Sequence, residues 1–162
     1  MKSIYTEQDR ALAVEIMDDA HCGQMRKDGS EYREHPVRVM QSLEMRGYSM
    51  ATLIVALFHD VPEDCPERWP IERIKAETGF GIDIIEPLER LTKEHGKGDE
   101  YYENVYIPRI AEHPRSRAVK RYDLMDNMDL GYIKHPSDEQ IIRIKKYGRS
   151  LTYLSQFSQP RV

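Results

Sequence analysis

His59 and Asp60 stand side by side at the end of an apolar run, residues 53–58, and Glu63 and Asp64 follow at once. His35 lies ahead of that run. Asp123 comes well after it, on a segment that is otherwise apolar-faced. His35, His59, Asp60 and Asp123 together make a mixed nitrogen and oxygen donor set. Such a set suits a divalent ion, Mn²⁺ foremost with Fe²⁺, Co²⁺ and Zn²⁺ as alternatives, and leaves positions for water or substrate. It differs from a closed structural zinc site, which usually recruits thiolates. An ion so held lowers the pKa of water it touches and polarises a phosphoryl oxygen. Glu63 and Asp64 are then the first candidates to handle protons, and as close neighbours they titrate as a coupled pair. The plain alternative makes His59 a helix cap, Asp60 a solvated acid and Glu63–Asp64 an acidic surface turn. The company these groups keep argues against it.

Helical patterns supply the elements that must position these groups, and no segment alternates as a strand would. Thr6 caps a first helix with Leu12, Ile16 and Ala20 on one face, which fades near Lys27 at an Asp28-Gly29-Ser30 turn. Pro36 suits the first turn of a second helix that Gly47 ends, and Ser49 caps a third that runs to His59. Pro62 weakens its continuation, because Val61 before it is biased away from helical geometry. A short fourth helix is predicted from Ile71 to Thr78 and a fifth from Ile82 to Lys93. A charged, glycine-rich loop follows at 95–100. A sixth spans Tyr101 to Ala111, kinked or split by Pro108, and a seventh runs from Arg115 to Leu130. Ser137 and Gln140 form a capping box for the last helix. The expected fold is all-α, a helical array of about eight helices in one domain over residues 1–162.

The formal net charge of −4 gives no global field toward nucleic acid, although the 24 Lys and Arg residues could still cluster around a small anion. No stretch approaches the roughly 20 apolar residues of a membrane span. The first residues, Met1-Lys2-Ser3-Ile4-Tyr5, turn acidic too early for a secretory signal. Cys22 and Cys65 form no CxxC pair, and reduced thiols in a cytoplasmic protein are expected. Among the remaining side chains, His21 reads as a buried polar or ligand-supporting group, and Trp69 as a packing anchor. His95, His113 and His135 read as surface histidines. Lys120 and Arg121 fit a pocket lip and a solvated helix face equally well. Tyr101, Tyr102 and Tyr106 read as core or interface packing.

Three blocks resemble the hydrolase domain of the RelA/SpoT family, within the wider HD phosphohydrolase superfamily. The first is Ala20-His21-Cys22-Gly23-Gln24-Met25-Arg26-Lys27-Asp28-Gly29, continuing through Tyr32 to His35-Pro36. The second is Ala56-Leu57-Phe58-His59-Asp60-Val61-Pro62-Glu63-Asp64, and the third Val119-Lys120-Arg121-Tyr122-Asp123 with Asn127-Met128. Phe80-Gly81 and Leu91-Thr92-Lys93 match in order between them. By length no synthetase domain is expected behind these blocks, and a stand-alone small alarmone hydrolase is the comparison they suggest.

The resemblance implies an HD-type helical fold, a Mn²⁺ ion and removal of the 3′-diphosphate from guanosine tetra- or pentaphosphate. By position it makes His35, His59, Asp60 and Asp123 the metal ligands, and Glu63 and Asp64 the residues that position and activate the attacking water. Arg26, Lys27 and Asn127 would contact the nucleotide, joined by Arg143 and Tyr147 of the last helix. The chain departs from the family where Asp-Arg-Leu-His-Asn-Met is usual and Asp123-Leu124-Met125-Asp126-Asn127-Met128 stands instead. A cation is missing, and Asp126 would repel a polyphosphate if it faced the pocket. Glu31 and Arg33 likewise replace the proline and isoleucine the family prefers. Two other readings stay open. One is the same chemistry on another phosphate ester, such as a nucleoside monophosphate or NADPH. The other is a non-catalytic nucleotide-binding module.

Overall fold

The computed structural model describes residues 4–27, 29–131, 135–160 and 162, and among these it is helical throughout. The elements are α1 (Glu7–Ala20), α2 (Glu34–Glu44), α3 (Met50–Phe58), α4 (Val61–Asp64), α5 (Ile71–Thr78), α6 (Ile82–Leu91), α7 (Asp99–Tyr101), a π-wound turn (Tyr102–Tyr106), α8 (Ile107–Ala111), α9 (Pro114–Met128) and α10 (Asp138–Leu154). None is long and apolar enough to cross a membrane.

The pattern of α3 explains its place. It has no polar face, and every residue from Ala51 to Phe58 is buried, as a helix that is apolar all round must be. Helices α1, α2, α6 and α9 pack around it, and α10 lies across α8 and α9. The sequence signals hold best at helix starts. Thr6 and Ser137 both form the reciprocal capping box with the residue three positions on. Trp69 is buried, with its indole N–H donated to Asp19 at 2.6 Å.

Three differences from expectation have local causes. Helix α1 stops at Ala20 instead of near Lys27. Gly23 adopts a φ of 76°, and Met25 then pairs with Glu31 in an isolated antiparallel bridge. That bridge draws the chain back over itself before α2, through Arg26 N–H to Ser30 O at 2.8 Å and Tyr32 N–H to Gln24 O at 2.9 Å. Asp28, in the expected turn, lies outside the described residues.

The proline at 108 changes winding. Its ring meets the carbonyl four residues back, and the chain relieves the clash with the π-wound turn Tyr102–Tyr106. Pro87 sits inside α6, where the sequence reading expected no break. Its missing N–H leaves the Asp83 carbonyl without a helical partner, and the Arg115 guanidinium donates to that carbonyl.

Candidate functional site

His35 sits in the first turn of α2, His59 just past the last turn of α3, Asp60 in the turn before α4, and Asp123 midway along α9. The packing of α2 and α9 against α3 therefore brings four distant positions together. His35, His59 and Asp123 are 1%, 2% and 3% exposed. His35 Nε2 lies 3.0 Å from Asp123 Oδ1 and 3.3 Å from His59 Nε2. His59 Nε2 lies 3.6 Å from the same Asp123 oxygen. Asp60 flanks the pair of rings, its Oδ2 3.1 Å from His59 Nε2 and 3.6 Å from His35 Nε2. The tightest set is His35, His59 and Asp123, whose donor atoms all fall within 4.8 Å of one another.

This geometry fits a cation. His59 Nδ1 lies 2.7 Å from the Ala56 carbonyl, which can only accept, so Nδ1 carries a proton and Nε2 is the nitrogen turned to the cluster. Bonds of about 2.0–2.2 Å to one ion place adjacent donors roughly 3.0–3.6 Å apart, the range found between these atoms. The charges agree with the geometry. Burial opposes ionisation of Asp123, but the Lys120 ammonium and the two imidazoles outweigh it and hold its pKa well below the usual carboxylate range. Burial likewise disfavours charged rings, yet the surrounding carboxylates hold both histidines above the ordinary imidazole value. A field that draws protons onto these nitrogens also favours a divalent ion.

Several side chains hold the donors in place. Lys120 Nζ lies 2.8 Å from Asp123 Oδ2, leaving Oδ1 for the cluster. Its ammonium also stands 5.3 Å over the Tyr106 ring. Neither sequence reading of Lys120, pocket lip or solvated helix face, covers this inward ion pair with Asp123. The lysine's spacing of three residues from Asp123 was the available signal. Tyr32 donates to Asp60 Oδ2 at 2.6 Å and sets its ring edge-on to His35. No spacing rule on the sequence foretold this role. Asn127 donates to Asp123 Oδ1 at 2.6 Å, so its amide serves the cluster itself.

Asp126 does not face an open pocket. Its Oδ2 lies 2.6 Å from His35 Nδ1, and Arg38 forks onto both of its oxygens. Leu124, where the family carries a cation, is buried in the core.

The expected proton carriers follow Asp60 on the short helix α4. Glu63 accepts the Lys93 backbone N–H at 3.0 Å and pairs with Lys93 Nζ at 2.9 Å, which ties it to the chain leaving α6. Asp64 accepts from Gln24 Nε2 at 3.1 Å, and the Gln24 carbonyl lies 2.8 Å from His21 Nδ1. Asp64 is exposed by surface area, yet enough protein crowds its carboxyl that desolvation, and then the charge of Asp60, raises its pKa.

The expected nucleotide contacts are looser. Arg26 reaches Asp126 and Asn127 only at 3.4 and 3.5 Å. Lys27 is exposed. Arg143 and Tyr147 share a face of α10, half-buried, with no hydrogen bond to the cluster among the described residues. His113, read from sequence as a surface histidine, caps α9, its Nδ1 accepting from Ser116 N–H at 3.4 Å.

The family model described as the HD domain matches residues 13–101. A guanosine-3′,5′-bis(diphosphate) 3′-pyrophosphohydrolase of Spiroplasma citri is 32% identical over 151 residues, covering 88% of this chain and 19% of that protein. A probable GTP pyrophosphokinase of Mycobacterium leprae is 30% identical over 118 residues, covering 72% of this chain and 15% of that one. The chain thus spans less than a fifth of either relative's length. A solved structure described as a metazoan ortholog of SpoT that hydrolyses ppGpp aligns with a TM-score of 0.69 at 19% identity, over 95% of this chain and 97% of that one. That match shows a shared helical fold.

Proposed function

We propose, because this chain belongs to the HD domain family, that it is a metal-dependent phosphohydrolase. Its substrate in this reading is guanosine tetra- or pentaphosphate, from which it removes the 3′-diphosphate to give pyrophosphate and GDP or GTP. The observation that carries the reading is the convergence of His35, His59 and Asp123 donor atoms at one buried point, with Asp60 Oδ2 beside it 3.1 Å from His59 Nε2. These four residues would hold the ion, for which the mixed donor set suits Mn²⁺, with Fe²⁺, Co²⁺ or Zn²⁺ as substitutes. A bound ion would supply charge to a phosphoryl oxygen and make a nearby water more acidic.

The chain's own residues supply the rest. Asp64, with its raised pKa, is moved toward the range in which a general base works, and Gln24 holds its carboxylate in place. Glu63, fixed by Lys93, would orient the attacking water beside it and, coupled to Asp64, share in taking its proton. Arg26 and Lys27 would balance phosphate charge at the rim, with Arg143 and Tyr147 on α10 meeting the nucleoside. Asn127 would act through Asp123, which it already touches. The relative named for the same 3′-pyrophosphohydrolase activity supports the substrate class. Two free cysteines fit a reducing, cytoplasmic setting.

The buried Leu124 favours a second reading, because the pocket lacks the cation usual at that position. In this reading the same chemistry acts on a smaller phosphate ester, a nucleoside monophosphate or NADPH. Product analysis separates the two. Metal-loaded protein given guanosine tetraphosphate should release pyrophosphate and GDP. Orthophosphate from monophosphates or NADPH, with the tetraphosphate untouched, would reverse the order.

A further inference from the structure

Helices α2 and α9 meet through two pairs of residues, each spaced by three positions. His35 and Arg38 lie on α2, and Asp123 and Asp126 on α9. Residues so spaced share a helix face. The His35 ring is therefore clamped between two carboxylates of a single helix, Asp123 Oδ1 at Nε2 and Asp126 Oδ2 at Nδ1. Asp126 is itself held, with Arg38 Nε 2.8 Å from Oδ1 and Nη2 3.0 Å from Oδ2. A fork of this kind fixes the plane of a carboxylate as well as its position.

We infer that Asp126, gripped by Arg38, is the positioning residue that keeps the proton of His35 on Nδ1 and aims its Nε2 lone pair at the cluster, and so sets how tightly this chain holds its divalent ion. Asp123 and Asp126 both only accept, so with the ion on Nε2 and Asp123 the Asp126 carboxylate holds the remaining ring hydrogen on Nδ1. The negative charge behind the ring also makes Nε2 a stronger donor, as carboxylate partners of metal-ligating histidines do. Asp126 thus acts away from substrate, through His35. The Arg38 guanidinium neutralises it, so the acid adds little repulsion at the mouth of the site.

The inference rests on the proposed ion at His35, His59, Asp60 and Asp123, and the experiment separates the two. Mn²⁺ is titrated calorimetrically into metal-free parent, Asp126→Ala, Asp126→Asn and Arg38→Met proteins, with circular dichroism and thermal melting of each metal-free form. Asp126→Ala should bind Mn²⁺ about 10- to 100-fold more weakly than the parent. Asp126→Asn keeps an acceptor but loses the charge and should lose less. Arg38→Met leaves Asp126 in place and should lose least. In ¹⁵N-labelled, metal-free protein, at a pH where the ring is neutral, the His35 nitrogen shifts should report more hydrogen on Nδ1 in the parent than in Asp126→Ala, while the His59 shifts persist. A mere tie between helices would lower the melting temperature and leave affinity and tautomer alone. Parent affinity in both Asp126 variants overturns the inference with the ion reading intact. If Asp126→Ala does not fold, unchanged affinity in Asp126→Asn overturns it equally. A parent that binds no divalent ion overturns the ion reading instead.

Discussion

Asp123 and Arg26 were both read from the sequence as site residues, and the fold treats them differently. Asp123 is 3% exposed, and its two oxygens meet His35, Asn127 and Lys120 at 3.0 Å or less. Arg26 stands at the edge of a short hairpin-like turn and makes its side-chain contacts with Asp126 and Asn127 at 3.4 and 3.5 Å. The donor cluster rests on three packed helices and is determined several times over. The rim rests on the 21–32 connection and on α10, where few buried contacts constrain a side chain. Binding energy at such a rim is tuned by single substitutions that the fold scarcely notices. A change at the cluster reaches the core.

The largest test of this contrast is removal of Asp123. Asp123→Ala takes away a donor and strands the buried Lys120 ammonium. Breaking one side of a buried pair costs about 3–5 kcal/mol, so metal binding and stability should fall together. The double change Lys120→Met with Asp123→Ala removes the stranded charge. It should recover most of the stability in chemical denaturation while Mn²⁺ binding stays lost. A single variant as stable as the parent would show that Lys120 escapes to solvent.

Next in size is Glu63→Gln. The amide keeps the shape and can still accept from the Lys93 backbone N–H. It loses the ion pair and the ability to take a proton. Turnover should drop roughly 10²- to 10⁴-fold with Mn²⁺ affinity near the parent's. Parent-rate turnover at saturating metal would remove Glu63 from the chemistry and leave it a clasp for Lys93.

At the rim, Lys27→Ala removes an exposed charge that would meet phosphate in ground and transition state alike. Such uniform binding shows as a higher KM with kcat nearly kept, and melting should not move. A kcat loss without a KM change would place Lys27 inside the reacting centre and weaken the contrast drawn between cluster and rim.

The cluster was legible in the sequence because its residue types carry the chemistry, and because helix starts such as Thr6 and Ser137 announce themselves. The supporting groups were less legible, since their roles depend on which faces meet in space. Nothing near Asp126 in the chain reveals that α9 will turn it toward His35, 91 residues away. Tyr32 was visible only as part of a matching block, and its bond to Asp60 depends on the turn that follows α1. The end of α1 was misplaced because its periodicity fades gradually, whereas the helix stops at Ala20, ahead of the left-handed Gly23. The break at Pro108 was foreseeable, but not that the chain would absorb it as a π-wound turn at Tyr102–Tyr106.

His113 supplies the smallest effect and tests a residue that sequence reading set aside. It caps α9 by accepting from the Ser116 N–H, which only an unprotonated Nδ1 can do. Burial, reinforced by Arg90, Arg115 and Arg117 against the opposing charge of Glu86, depresses its pKa. A positive ring would also meet the positive end of the helix dipole. The sign follows from linkage. With the folded pKa below the unfolded value near 6.5, the unfolded chain binds more protons as pH falls. The contribution is therefore complete above that value and is lost as pH drops through the folded pKa. His113→Ala should cost about 0.5–2 kcal/mol at about pH 7.5, in the range of other lost N-caps. The gap between parent and variant in urea denaturation should narrow toward about pH 5.5. A gap that widened on acidification would mean that His113 is stabilised in its charged form, by Glu86, and that the cap is incidental.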